Sequence, residues 1–377
     1  MGNKLDKLIP VFNNAMQEIS RELIGIIPAC RRDMRADQIA KGQTLRVPLT
    51  PDGENEDIII GKAPDLAGDE FGNIDVQMTK FRIGKPIVWN GEEELAIGDL
   101  RRQLFQDQVT QRMRRLANEM EEDVCREAAI GAQGGVYGTA GVTPFASNDM
   151  GDFAQVIKIM NDGGMPQFGR NIALNTSSAS NLRNHGVLFK VNEAGTQELL
   201  RQGILGRLYG FDIRESGGFR PFAPTGSGYV VNGNFAKGDK KIMVDSGTGA
   251  IKKGSVITFA GNTTQYIITE DFEGTAGYLN IAPGLVAPVT TGVSITVSNP
   301  FLPNVAFTSD AVLLATRTPA MPEGGDNAQD VTTVTDPVSG LTFQVAAYGG
   351  HRQRWIEIGA VWGTKTVNPQ HSVLLLG

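Results

Sequence analysis

The sequence predicts an α+β chain built on one long helix, and three observations predict it. The first is a single helical run of about forty residues, Glu92 to Ala132, which would be roughly 60 Å long. The second is a glycine content of 46 in 377 residues, well above the usual share of about 7%, as many turns and short strands require. The third is a block from Ala236 to Ser298 in which short β segments follow one another with Gly, Asp and Asn between them.

The long run carries one apolar stripe: Leu95, Leu100, Leu104, Val109, Met113, Leu116, Met120, Val124 and Ala128 recur at three- to five-residue steps. Arg101, Arg102, Arg112, Arg115, Glu119 and Glu122 fall largely off it. Glu92, Glu93 and Glu94 stand at the start, where carboxylates favour the positive end of the helix dipole, and Gly131, Gly134 and Gly135 stop it. Such a run is either a coiled-coil or bundle helix or the spine of an extended subunit.

The remaining elements follow in order. Residues 5 to 27 predict an amphipathic helix with Leu8, Val11, Phe12, Ala15, Ile19, Leu23 and Ile26 on one face, ended by Pro28. Residues 44 to 90 read as a two-stranded excursion around the acidic turn Pro51–Asp57, with little core of its own; a lone hairpin is marginal in water, so its support should come from what it lies on. A glycine-rich connection spans Gly134 to Gly151. A helix over 152–161 follows, then a buried strand over 171–175, a helix through Asn184 capped by Thr176 or Ser177, a helix over 196–202 and a glycine-punctuated strand within 203–216. Five strands over 241–244, 255–259, 266–269, 278–281 and 293–297 predict a small barrel or sandwich inserted into the mixed region. Asp310–Thr316 and Leu341–Ala347 read as strands around a polar loop at 319–330. Arg354–Trp362 is a strand or short helix, and Val373–Leu376 a closing strand.

Composition limits the function. The hydrophobic content of 41% supports real cores, and a net charge of −6 argues against an overall basic nucleic-acid surface. Two cysteines, Cys30 and Cys125, make neither a disulfide framework nor a metal cluster and suit a reduced compartment. The first residues show no apolar signal core, Asp6 stands where myristoylation needs Ser or Thr, and no apolar stretch reaches membrane-spanning length, which leads to the expectation of a soluble, cytoplasmically made protein.

The candidates for chemistry are few. Asp245-Ser246-Gly247 after an apolar strand resembles an aspartic-protease loop, but a second such loop is missing, so two carboxylates could share a proton only in a homodimer; otherwise it is a β-turn. His185, His351 and His371 share no spaced motif, and Asp52, Glu54 and Glu56 lack the glycine position of a calcium loop. A nucleophile elbow is absent, and Gly131-Ala-Gln-Gly-Gly follows a helix, the wrong order for a phosphate loop. Cys30 and Cys125 read as small buried residues. His351-Arg-Gln-Arg354 and Arg112, Arg114 and Arg115 read as solvated or inter-subunit charge. Asn175 and Asn262 open sequons that matter only in a secreted protein. No catalytic, cofactor or metal-ligating residue is therefore expected.

The order of these parts resembles the major capsid (coat) proteins of tailed double-stranded DNA bacteriophages, most closely the P22-type branch of the HK97 fold. The stretches that carry the resemblance are Arg112–Ile130, with Arg114-Arg-Leu-Ala-Asn-Glu-Met-Glu121; Gly203–Ser216; Lys253–Gly261; Asp310–Pro322; and Gly359–Leu376. The insertion, at about sixty residues, is short for that branch.

The resemblance implies an N-arm (1–43), an E-loop over a neighbouring subunit (44–90), a P-domain spine (91–149), an A-domain (150–235 and 299–340), an inserted β domain (236–298) and closing P-domain strands (341–377). It implies self-assembly into hexamers and pentamers of an icosahedral shell, with a scaffolding protein and portal during assembly. A decoration protein and non-specific contact with packaged DNA are further implied partners, and membranes are not. Some relatives cross-link a Lys to an Asn, and Lys62 is the kind of position used. An encapsulin-like cellular shell is the alternative within the same fold.

Overall fold

A computed structural model of the chain describes residues 9–22, 25–49, 57, 60, 72–97, 101–146, 150–185, 206–322, 325–335 and 340–377. The chain opens with α1 (Ile9–Glu22), a 3-10 turn (Ile27–Ala29) and β1 (Arg31–Ile39). The excursion follows with β2 (Thr44–Leu49) and β3 (Gly72–Gln77), then β4 (Lys80–Ile83) and β5 (Ile87–Asn90). Next come α2 (Gly91–Ile97), α3 (Arg101–Gly131), β6 (Gly135–Tyr137), α4 (Gly151–Asp162), β7 (Arg170–Leu174) and α5 (Thr176–Arg183). After them lie β8 (Arg207–Leu208), β9 (Phe211–Glu215), β10 (Val230–Val231), β11 (Lys241–Asp245), β12 (Val256–Phe259), β13 (Gln265–Ile268), β14 (Gly277–Ala282) and β15 (Ile295–Val297). The chain closes with β16 (Asn304–Thr308), β17 (Val312–Pro319), β18 (Ala328–Thr335), β19 (Thr342–Gly350), β20 (Gln353–Thr366) and β21 (Ser372–Leu375). This is an α+β architecture of few helices and many strands.

Helix α3 is the part on which the rest is laid. From Val109 onward its stripe is buried: Val109, Met113, Met120, Val124 and Ala128 are fully covered, and Leu116 nearly so. Each such buried large side chain contributes roughly 1.5–3 kcal/mol. One side of the stripe meets the first sheet, ordered β1-β17-β20-β19-β18 with β4 and β5 also on β20. Ile356, Ile358, Ala360 and Trp362 alternate along β20 onto that face. Trp362 Nε1 donates to Asp123 Oδ2 at 2.9 Å, so the largest core side chain also satisfies its polar end. Val305, Phe307 and Leu374 of the second sheet, ordered β6-β21-β16-β7-β9-β8, enter the same core. The other face of the second sheet packs Ile172, Leu174 and Phe211 against Phe153, Val156 and Met160 of α4.

The far face of the first sheet takes the base of the excursion. Val47 and Val76 pack with Leu313 and Val367, and Met78 packs with Ala315 and Val361. The approach is so close that a Cβ on Gly363 would lie 2.3 Å from the Gln77 carbonyl oxygen. Only glycine admits it.

The third sheet runs β10-β11-β14-β13-β12-β15, every strand paired antiparallel. An isolated bridge between Val230 and Ser294 joins its first and last strands. Backbone bonds Val231 N–H to Val293 O (2.9 Å) and Ile295 N–H to Tyr229 O (2.9 Å) complete the seam. It is therefore a closed barrel, which leaves no free edge. Tyr229, Ile257, Tyr266, Ile268 and Leu279 fill it. Phe222 and Phe301 bridge at its neck, with ring centroids 5.5 Å apart.

The structure departs from the sequence expectations at several places. The long run is helical over Gly91–Ile97 and Arg101–Gly131, and 98–100 lie outside the described residues. Its buried stripe begins only at Val109, since Leu95 and Leu104 are exposed. The first helix is shorter than 5–27, and residues 5–8 and 23–24 lie outside the described residues. Strand β1 was not expected: Arg31, Arg32 and Asp33 show no apolar alternation, and tertiary pairing with β17 overrides propensity there. Residues 80–90 are not free excursion but strands on β20. The connection 134–151 holds β6, and the polar loop 319–330 gives way to β18 at Ala328.

The cap of α5 is Asn175, whose side chain accepts from Ser178 N–H at 2.8 Å, rather than Thr176 or Ser177. The stretch 354–362 is strand, and the closed barrel begins before Ala236. Strands β17 and β18 pair in the first sheet and β21 in the second. The helix expected at 196–202 lies outside the described residues.

Candidate assembly surfaces and the junction at Glu121

The residues that suggested chemistry fall apart in space or into turns. Asp245 ends β11, and Ser246 occupies the left-handed region at φ 60° with its hydroxyl on Asp245 Oδ1 at 3.1 Å. Gly247 N–H donates to Thr275 O at 3.2 Å. The Asp-Ser-Gly stretch is thus a barrel turn held by its own backbone. His185 is buried with Nε2 3.0 Å from the Phe145 carbonyl. His351 lies in the turn between β19 and β20, and His371 lies in a 3-10 turn before β21. Among the described residues, no group of three or more His, Cys, Asp or Glu side chains could hold a metal ion. Asp52, Glu54, Glu56 and Lys62 lie outside the described residues.

Of the basic residues, Arg112 donates to the Lys85 carbonyl at 2.9 Å and Arg114 pairs with Glu18 of α1 at 3.3 Å. Arg354 pairs with Glu94 of α2. These cations fasten elements to one another. Asn262 caps its own turn by accepting from Thr264 N–H at 2.9 Å.

Two features remain. The first is an apolar sheet face. Phe81, Ile83 and Val88 sit opposite Val361, Gly359 and Trp355 of β20, so all share the face turned away from α3. Ile83 and Val88 are each about half exposed (50% and 52%), and Val331 adds to the same face from β18. Tyr348 and Trp355 stack there at 5.7 Å. Among the described residues, the excursion base packs on the part near Val361 through Met78 and Leu45. Exposed apolar side chains grouped on one sheet face, with Glu357 among them, are a candidate place for another surface to dock.

The second is a junction of three segments at Glu121, in the middle of α3. Its carboxylate is buried and accepts from Ile26 N–H (2.6 Å), Ile27 N–H (3.1 Å) and Ser216 Oγ (2.7 Å). Burial pushes its pKa up, against the opposing pull of these hydrogen bonds. Cys30 and Cys125 are both buried beside it, and burial first, then the nearby carboxylate, raises both thiols. They are inert packing residues rather than nucleophiles. On the next residue the opposite holds: the Arg220 guanidinium hydrogen-bonds Glu122 and lowers its pKa. Sequence reading did not single out Glu121, because an acidic residue on a charged helix looks like solvated surface. Its position on the buried side of α3, one step after Met120, was the only signal.

No protein-family profile matches the chain, and none of the curated proteins does. Solved structures similar in outline include one titled Mycobacterium phage Che8, at 14% identity and a TM-score of 0.46 over 89% of this chain and 85% of that one. The bacteriophage PhiM1 mature capsid matches at 12% identity and 0.46, over 93% and 85%. A virus-like particle from Pyrococcus furiosus matches at 8% identity and 0.44, over 97% and 98%.

Proposed function

We propose that this chain is a shell-forming structural protein, the major capsid protein of a tailed double-stranded DNA bacteriophage with an HK97-type fold. The observation that carries the reading is the order in which the chain spends its elements. An arm is followed by a hairpin excursion, a spine helix, a second sheet, an inserted barrel, and a return to both sheets. This order agrees with the sequence resemblance. In this reading 1–43 is the N-arm, 44–90 the E-loop, 91–149 the spine, 150–235 with 299–340 the A-domain, 236–298 the insertion and 341–377 the closing strands.

Copies would join through heterologous contacts that close into hexamers and pentamers. The open apolar face at Ile83, Val88 and Trp355 would receive a neighbour, next to the chain's own excursion base. A scaffolding protein and portal would act during assembly in the host cytoplasm, and a decoration protein would be an optional addition to the virion. The net charge of −6 suits an inner wall that must not hold packaged DNA tightly.

Electron microscopy of the protein expressed alone, and with its scaffold, tests the proposal. Closed shells, polyheads or capsomer sheets support it; a monodisperse monomer or dimer under both conditions overturns it. Nucleic acid inside the shells separates a virion from an encapsulin-like compartment, which would hold protein cargo. A double charge substitution, Ile83→Glu with Val88→Glu, should leave the subunit folded by circular dichroism and abolish shells. Normal shells from that variant would remove the open face from the assembly surface.

A further inference from the structure

We propose that Glu121 is a proton-operated latch that fastens the N-terminal turn Gly25–Ala29 to the spine helix and to the Ser216 loop, tighter in mild acid than at neutral pH. The geometry is specific. Oε1 takes two donors, Ile26 N–H and Ser216 Oγ, and Oε2 takes Ile27 N–H. Ser216 in turn accepts from Gly218 N–H at 3.1 Å, while its own N–H is bonded to Leu174 O at 3.0 Å. One carboxylate therefore joins the arm, the spine and the loop that leaves the second sheet for the barrel.

The seat is shaped for it. A Cβ on Gly25 would lie 1.8 Å from Glu121 Oε1, so only glycine lets the turn come down onto the carboxylate. Ile26 and Ile27 then insert beside it, both fully buried.

Among the described residues, no cation supplies any of the three hydrogen bonds that the carboxylate accepts. From α3 it faces Glu122 and Cys125, and from the arm turn Cys30, with Arg32 close enough to act on Cys30. The Ser216 loop brings a hydroxyl rather than a cation. Lys80, Arg115, Arg126 and Arg220 line the cleft alongside with Glu119, Glu122 and Asp123, yet none of the three hydrogen bonds Glu121 accepts comes from these cations. A proton on Oε2 leaves that oxygen a lone pair for Ile27 N–H, and Oε1 keeps both of its donors.

The direction of the pH effect follows. Burial raises the pKa of the latched carboxylate above its ordinary value, and a released carboxylate in water returns to that value. The latched state then binds the proton more tightly. Its extra stability is fully present below the released pKa and is lost as pH rises through the latched pKa. Each unit of difference is a factor of about ten in the latch equilibrium. Where copies assemble into shells, the latch would set how firmly the arm is held while subunits meet.

The test is amide hydrogen exchange on the unassembled full chain, so its outcome does not depend on whether shells form. After correction for the chemical exchange rate, protection at Ile26 and Ile27 should rise as the pH is lowered from 8 towards the ordinary carboxylate range. Amides of Val124 and Val345 serve as controls and should not change. Glu121→Gln, which cannot titrate, should abolish the pH dependence. Gly25→Ala, whose methyl would collide with the carboxylate and block the seat while Glu121 stays able to titrate, should leave Ile26 and Ile27 weakly protected at every pH. A flat wild-type profile overturns the latch, and so does a Glu121→Gln profile that keeps the wild-type slope. Should Glu121→Gln not fold, wild type against Gly25→Ala decides alone: identical profiles overturn it.

Discussion

The frame around α3 and the inserted barrel are both rich in strands, yet they are held together in opposite ways. The barrel closes on itself from strands that all lie between Val230 and Val297, and each pairing is antiparallel. The first sheet joins residues from opposite ends of the chain. Strand β1 runs parallel to β17, and Arg317 bonds to Asp33 across 284 positions of sequence. The barrel therefore pays little loop-closure entropy, whereas the frame must close long loops before its contacts are rewarded. The frame should behave as one cooperative unit that fails as a whole, and the barrel as a unit able to fail separately.

The sharpest way to break this comparison is Trp362→Ala. The indole is fully buried between sheet and spine, and its Nε1 satisfies Asp123. The loss should be about 3–5 kcal/mol, with Asp123 left short of a donor. In calorimetry the frame transition should fall sharply while a barrel transition stays in place. A single transition that moves as one would show that the two regions are energetically fused. The next largest effect belongs to Arg317→Ala. The guanidinium side chain is 3% exposed and holds Asp33 Oδ2 at 2.8 Å. Breaking a buried pair on one side costs about 3 kcal/mol. The loss should appear in the frame transition and free β1 for proteolysis, whereas an unchanged β1 would mean that its backbone pairing with β17 suffices.

These two side chains also show how much the sequence reveals. The five barrel strands were legible because their alternation is local and their separators are turn residues. The sixth, Val230–Val231, was not, because two residues carry no period. The spine was legible from Val109 to Ala128. Its front differs: Leu95 and Leu104 continue the stripe in sequence but are exposed among the described residues. Strand β1 was invisible because its stability resides in Asp33–Arg317 and the β17 backbone, 284 residues away. The junction at Glu121 was hidden for the same reason, since its partners Ile26 and Ser216 are 95 residues off on either side.

Gly363→Ala sharpens the comparison within the frame. The new methyl would sit 2.3 Å from the Gln77 carbonyl, a backbone atom with no rotamer to yield. The excursion base must lift from the sheet, at about 1–3 kcal/mol. Val47 and Val76 should become accessible while Trp362 fluorescence is unchanged. If Trp362 also responds, the excursion base is part of the cooperative frame rather than a layer on it.

The smallest effect tests the barrel alone. The Tyr229 ring is buried in the barrel, and its hydroxyl donates to the carbonyls of Gly249 and Gly274, the latter at 3.1 Å. Those carbonyls belong to two different turns, 248–250 and 273–275, that Tyr229 draws together at one end of the barrel. Tyr229→Phe keeps the ring and its edge-on contact with Phe272 and removes only the donor. A net loss of about 1 kcal/mol is expected, confined to the barrel transition. The frame contributes no partner to this hydroxyl, so any matching shift in the frame would have to travel through the contacts between the two regions: Val256 and Ile267 in the core under α3, Gln265 on the Gly138 carbonyl at 2.8 Å, and the neck at Phe222 and Phe301. A shift of equal size in both transitions would therefore refute the independence of the barrel.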